Sequence, residues 1–141
     1  VRALVTRPPK DTLRFEALAE ASRCAGDGGG ALIQGMREGN GVLVWLRFAD
    51  SLGAGDWPLL QRGDTVSPRG AVVAVRFQAA GGAHGVALDS GTVTVTPQPD
   101  GLTVAARGSG LEAGGAGRVS VDAEFRGVLL RADTVPCRPQ P

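Results

Sequence analysis

Residues 118–126, RVSVDAEFR, alternate without a break: Val119, Val121, Ala123 and Phe125 fall on one side, and Arg118, Ser120, Asp122, Glu124 and Arg126 on the other. Successive side chains of an extended strand point to opposite faces, so a strict period of two predicts a half-buried β-strand. The same period recurs along the chain in short segments punctuated by glycine, aspartate and asparagine. No other feature constrains the fold as much, and it asks for an all-β domain.

Residues 31–37 and 42–49 flank Asn40-Gly41, a hairpin signal between apolar runs. The second run sets Val42, Val44, Leu46 and Phe48 on one face and Leu43 and Trp45 on the other. A strand apolar on both faces is central, or covered from outside. Residues 71–79 set Val73, Val75 and Phe77 against Arg76 and Gln78. Residues 84–96 follow Gly81-Gly82 and bend at Ser90-Gly91, with Thr92, Thr94 and Thr96 opposite Val93 and Val95. Asp100-Gly101 signals a second hairpin leading to Leu102, Val104 and Ala106. Residues 12–24 fit two templates: Leu13, Phe15, Ala17, Ala19 and Ala21 share a side at period two, while Phe15, Leu18, Ala19 and Ser22 fit a helical stripe. Strand is the favoured reading.

The rest reads as connection. Residues 50–69 are polar, with Trp57-Pro58-Leu59-Leu60 as a short edge segment, and the glycines at 26–30 and 108–117 read as loops. Pro8-Pro9 makes residues 1–11 an extended arm, and Pro136, Pro139 and Pro141 make residues 131–141 an extended strap. The expectation is one domain over residues 12–141, an antiparallel β-sandwich or small barrel of about eight strands. Without a fixed-period repeat or βαβ alternation, solenoids and nucleotide-binding α/β folds are disfavoured.

Composition narrows the function. The chain has 141 residues, 43% hydrophobic and 21% charged, as in a single globular domain. A net charge of +1 offers no concentrated basic face for nucleic acid. The longest apolar stretches run to about six residues, against the roughly 18 that span a bilayer. Tyr is absent, which weakens a sugar-stacking or antibody-like surface. One His and two Cys cannot fill a zinc shell without several carboxylates, and no calcium loop is present. No metal or cofactor is expected.

Catalysis has few candidates. His84 sits among glycines in an expected turn, with no Gly-x-Ser-x-Gly elbow, and reads as an exposed turn histidine. Cys24 as a nucleophile would need that imidazole beside it. Asp122 and Glu124 supply two carboxylates, but on a solvated strand face among arginines. The glycines around Gly108 and Gly110 have no helix behind them to hold a phosphate. Arg62-Gly63-Asp64 is a chance triplet in a chain this rich in Arg and Gly.

Cys24 and Cys137 lie far apart, each at the edge of a structured segment, so they suit neither a redox motif nor a metal site. A disulfide between them would tie the C-terminal strap to the first strand, and such a bond persists in an oxidising compartment. Glu20 and Arg23 exclude a lipid-attachment signal at Cys24, and the missing Met at Val1 suggests a processed product. Residues 91–130, GTVTVTPQPDGLTVAARGSGLEAGGAGRVSVDAEFRGVLL, resemble the C-terminal half of small exported bacterial β-sandwich lipoproteins of unknown function. That resemblance implies a β-sandwich and export, and carries over no catalytic residue.

These readings converge on a non-catalytic, extracytoplasmic β-sandwich domain, periplasmic or on the cell surface of a bacterium. It would serve as a structural or interaction subunit docked on a cell-envelope or membrane-associated protein assembly. Leu43 and Trp45 are the candidate partner-facing residues, unless that second face is simply core. The alternative is a carrier of a small apolar ligand in a barrel cavity; a carboxylate hydrolase is a remote third.

Overall fold

The computed structural model describes residues 1–7, 11–25, 30–48, 52–61, 64, 66–79, 82–114 and 117–137, with 132 and 133 by backbone alone. Twelve strands lie among the described residues: β1 Arg2–Arg7, β2 Asp11–Glu16, β3 Ala19–Cys24, β4 Ala31–Arg37, β5 Asn40–Arg47, β6 Gly55–Trp57, β7 Gly70–Ala79, β8 Gly82–Ala87, β9 Ser90–Gln98, β10 Gly101–Leu111, β11 Arg118–Val128 and β12 Leu130–Val135. They form two six-stranded sheets, β2-β1-β11-β10-β9-β6 and β12-β3-β4-β5-β7-β8. Every pairing is antiparallel except β12 with β3. The result is a β-sandwich of two sheets, not a closed barrel.

Period two determines which side chains meet. Across the first sheet one inward row runs Phe15, Ala3, Ala123, Ala106, Val93, Trp57. Across the second, an inward row runs Ala21, Ile33, Val44, Val73. Trp57, Phe77, Phe125, Ile33 and Leu46 are the largest fully buried side chains. At about 25 cal/mol per Å² of apolar surface, this shared interior is the main stabilising contribution. The four inward residues of 118–126 are all in it.

Several boundaries differ from expectation, each for a local reason. The arm expected at 1–11 is instead β1 over Arg2–Arg7, an interior strand between β2 and β11, because Ala3 and Val5 are inward and buried. Residues 12–24 are strand, but split between the sheets: the chain leaves β2 at Ala17-Leu18 and enters β3 opposite. Residues 84–96 divide likewise into β8 and β9; these two divisions, with β1 and β12, raise the strand count from about eight to twelve. The hairpin of β4 and β5 turns at Glu38-Gly39, both at positive φ (54° and 83°), and Asn40 and Gly41 already belong to β5. The Asn40 side chain instead accepts the Gln78 backbone N–H at 2.7 Å.

Gly108 and Gly110, expected in a loop, lie in β10. A Cβ at Gly108 would strike the Ser90 carbonyl, and one at Gly110 the Ala87 carbonyl. Glycine permits this close approach where β8 passes into β9. There the sandwich flank is stitched: Val86 bridges Glu112, Ala113 N–H donates to the Gly85 carbonyl, and Asp89 N–H donates to the Ser109 carbonyl. The tail pairs as β12 alongside β3, although the sequence reading gave it no attachment besides a disulfide.

Candidate functional site

The two outer faces differ sharply in chemistry. On the first sheet one outward row runs Arg14, Leu4, Asp122, Arg107, Thr92, and the next runs Glu16, Arg2, Glu124, Ala105, Thr94, Asp56. Ion pairs knit it: Arg2–Glu16 at 3.2 Å, Arg107–Asp122 at 3.4 Å and Arg126–Glu124 at 2.5 Å. On the second sheet the outward rows run Ser22, Leu32, Trp45, Val72 and Glu20, Gln34, Leu43, Ala74, Ala87. Leu32, Leu43, Trp45, Val72 and Ala74 are half-buried by one another and still reach solvent.

Trp45 anchors the corner of this apolar face. The Arg47 guanidinium lies over its ring, 4.9 Å from the centroid, a cation–π arrangement. Arg47 also donates to the carbonyls of Asp64 (2.7 Å) and Ser67 (3.0 Å). Asp64 in turn accepts the Ser67 hydroxyl and the backbone N–H groups of Val66 and Ser67. The Ser67 hydrogen bonds, hydroxyl first, hold the Asp64 carboxyl below its ordinary range. A Cβ at Gly30 would meet Cys24 Sγ at 3.1 Å and Trp45 Nε1 at 3.2 Å, so disulfide and indole converge there. Trp45 Nε1 is buried without a hydrogen-bond partner among the described residues.

Cys24 and Cys137 are joined in a disulfide, with Cα atoms 5.4 Å apart. Cys24 ends β3 rather than the first strand of the chain. With β12 it fastens the tail to the edge of the second sheet.

His84 is not in a turn. It lies in β8 facing Phe77, with the rings stacked at 5.5 Å, and its Nδ1 is 3.6 Å from the Glu112 carboxylate. Glu112 is buried and meets Arg7 Nε at 2.8 Å and Arg7 Nη2 at 3.2 Å. The cluster clamps β1, β8 and the β10–β11 connection at one end of the sandwich. No spacing in the chain announces it, because its members are 28 and 105 residues apart and Glu112 sits in a glycine-rich stretch. Asp122 and Glu124 remain where alternation put them, each against an arginine. The Arg126 hydrogen bond lowers the Glu124 carboxyl, the direction opposite to that of a general acid. Of the Arg62-Gly63-Asp64 triplet, Arg62 and Gly63 lie outside the described residues; so do residues 26–29 of the first glycine loop.

Among the described residues no group of three or more His, Cys, Asp or Glu is placed to hold a metal ion, and no helix is long and apolar enough to cross a membrane. No family model, curated relative or solved structure matches this chain.

Proposed function

We propose that this chain is a non-catalytic docking domain that binds a protein partner through the outer face of its second sheet, within an envelope or membrane-associated assembly. One observation carries the reading: the outer face of the first sheet is mostly charged and threonine side chains, with Leu4 and Ala105 apart from each other, while that of the second presents Leu32, Leu43, Trp45, Val72 and Ala74 side by side. Apolar groups that still reach solvent, gathered on one face and rimmed by polar side chains, mark interaction surfaces. An aromatic residue beside an arginine is the composition of an interface centre. The disulfide favours an oxidising, extracytoplasmic compartment, in keeping with the exported proteins that residues 91–130 resemble. The carrier reading has less to rest on, since the space between the two open sheets is packed with buried side chains.

The test is paired photo-crosslinking in native envelope fractions, with a photoreactive residue at Leu43 or at Arg107 on the opposite outer face. A discrete adduct from position 43 alone, lost in Trp45→Asp with the strand spectrum unchanged, supports docking. Equal labelling from both positions, or none from either, overturns it.

A further inference from the structure

Four strands end the two sheets, and three of them are protected against pairing with another chain. β6 has only three residues, and the chain leaves it at Pro58 to bond β7. β8 is bridged by Glu112 and Ala113. β12 shifts register between Arg131 and Thr134 and runs into Pro136 and the disulfide. Short length, cover, bulges, proline and charged side chains are the usual devices that blunt an edge. Among the described residues β2 has charge alone, at Asp11, Arg14 and Glu16: it is six residues long, matched residue for residue with β1, free of proline, and apolar inward at Leu13 and Phe15.

The hydrogen-bonding parity of that edge is readable. Val1 and Ala17 exchange both backbone bonds, at 2.7 and 3.0 Å. Bonded pairs alternate in an antiparallel ladder, so Phe15, Leu13 and Asp11 bond β1, while Thr12, Arg14 and Glu16 turn their N–H and C=O groups away from it. Arg14 has no ion-pair partner among the described residues; Glu16 pairs with exposed Arg2, and its charge also acts on the Val1 amino group.

We infer that β2 is a self-association edge, pairing antiparallel with β2 of a second copy about a two-fold axis at Phe15. That register sets Arg14 directly opposite the second copy's Glu16, twice, and makes each a backbone-bonded pair. On the inward side Phe15 meets Phe15, and Leu13 meets Ala17. The neighbouring registers fail on charge or packing: pairing about Arg14 opposes two arginines, and pairing about Leu13 sets Phe15 against Asp11. Opposite charges directly across a ladder stabilise it, and like charges destabilise it. The outward charge pattern therefore selects a second copy and one register.

This register brings only residues 13–17 of each copy together, so the interface belongs to the small class, under about 1,200 Å² in total, and association is weak and concentration-dependent. Sedimentation equilibrium of the intact chain is expected to give a dimer with Kd between about 10 µM and 1 mM. Arg14→Glu and Glu16→Arg each weaken it by about tenfold or more, since each places like charges opposite one another twice. Mixing the two single variants restores association, because all four facing positions become complementary, and the double variant Arg14→Glu/Glu16→Arg self-associates like the parent chain. The inference is overturned by a parent chain that stays monomeric at about 1 mM, by dimers indifferent to both single changes, or by a mixture that does not associate. If either variant loses its strand spectrum, amide exchange of the parent chain decides. Protection of Arg14 and Glu16 that appears only at high concentration supports self-pairing, and unchanged exchange overturns it.

Discussion

Replacing both Cys24 and Cys137 with serine opens a loop closed across 113 residues of sequence. In the chain-entropy description, a cross-link of that span removes enough freedom from the unfolded chain to stabilise the domain by about 4.8 kcal/mol at 25 °C. A domain of this length loses roughly 2–4 °C of melting temperature per kcal/mol, so the expected drop is about 10–20 °C. The native sheet should survive, because β12 keeps its ladder to β3. The loss therefore arises in the unfolded ensemble, which expands, and the denaturant slope should not fall. Urea titrations of the parent and the double serine variant, followed by tryptophan emission and far-ultraviolet circular dichroism, measure both quantities. A loss below about 1 kcal/mol with coincident transitions would refute the loop-closure argument. Free alkylation of both thiols under denaturing, non-reducing conditions would remove its premise.

Phe125→Ala should cost about 3–5 kcal/mol, since Phe125 is fully buried between the sheets; equilibrium unfolding measures it. Gly110→Ala should destabilise by about 1–3 kcal/mol because its Cβ collides with the Ala87 carbonyl. Gly85→Ala, whose Cβ meets nothing nearer than Val75 O at 3.8 Å, should be neutral or stabilising by up to about 1 kcal/mol; the opposite order of the two midpoints would contradict the packing account. Asp64 and Glu124 both have lowered carboxyl pKa values, from Ser67 and Arg126 respectively. Their stabilisation is fully present above the unfolded values near pH 4 and is lost as pH falls through the lower folded ones. The urea midpoint should thus be flat above about pH 5 and decline in acid, with a shallower decline in Asp64→Asn. Trp45→Phe deletes a buried N–H that has no partner among the described residues, so calorimetry should find a change within about 0.5 kcal/mol.

Alternation made the core legible: Val119, Val121, Ala123 and Phe125 were assigned inward from period alone, and they are buried. Period two cannot say which sheet a strand joins, and so 12–24 and 84–96, each a single segment by sequence, divide between sheets at Ala17-Leu18 and at Leu88-Asp89. Prolines misdirected the reading of residues 1–11, because Pro8 and Pro9 come just after Arg7, the last residue of β1. Leu43 and Trp45 stood out as an apolar second face. Their neighbours Leu32, Val72 and Ala74 did not, since they come from other strands and are gathered only by register. The Arg7–Glu112–His84 clamp was invisible for the same reason: a cluster built from three distant segments leaves no spacing to read.

The pairing of the chain's two ends has a consequence in time. Arg2 lies against Glu124, and Ala21 against Leu130, so β1 and β3 each lack one of their two neighbours until β11 and β12 exist. At about 5–20 residues per second, the 122 positions between Arg2 and Glu124 take roughly 6–24 s to synthesise. Throughout that interval β1 can pair only with β2, and Cys24 has no thiol to meet. The two layers therefore differ in timing: β3, β4, β5, β7 and β8 are neighbours in chain order and can pair as they emerge, whereas the first sheet joins β1 and β2 to its other strands only once β11 exists.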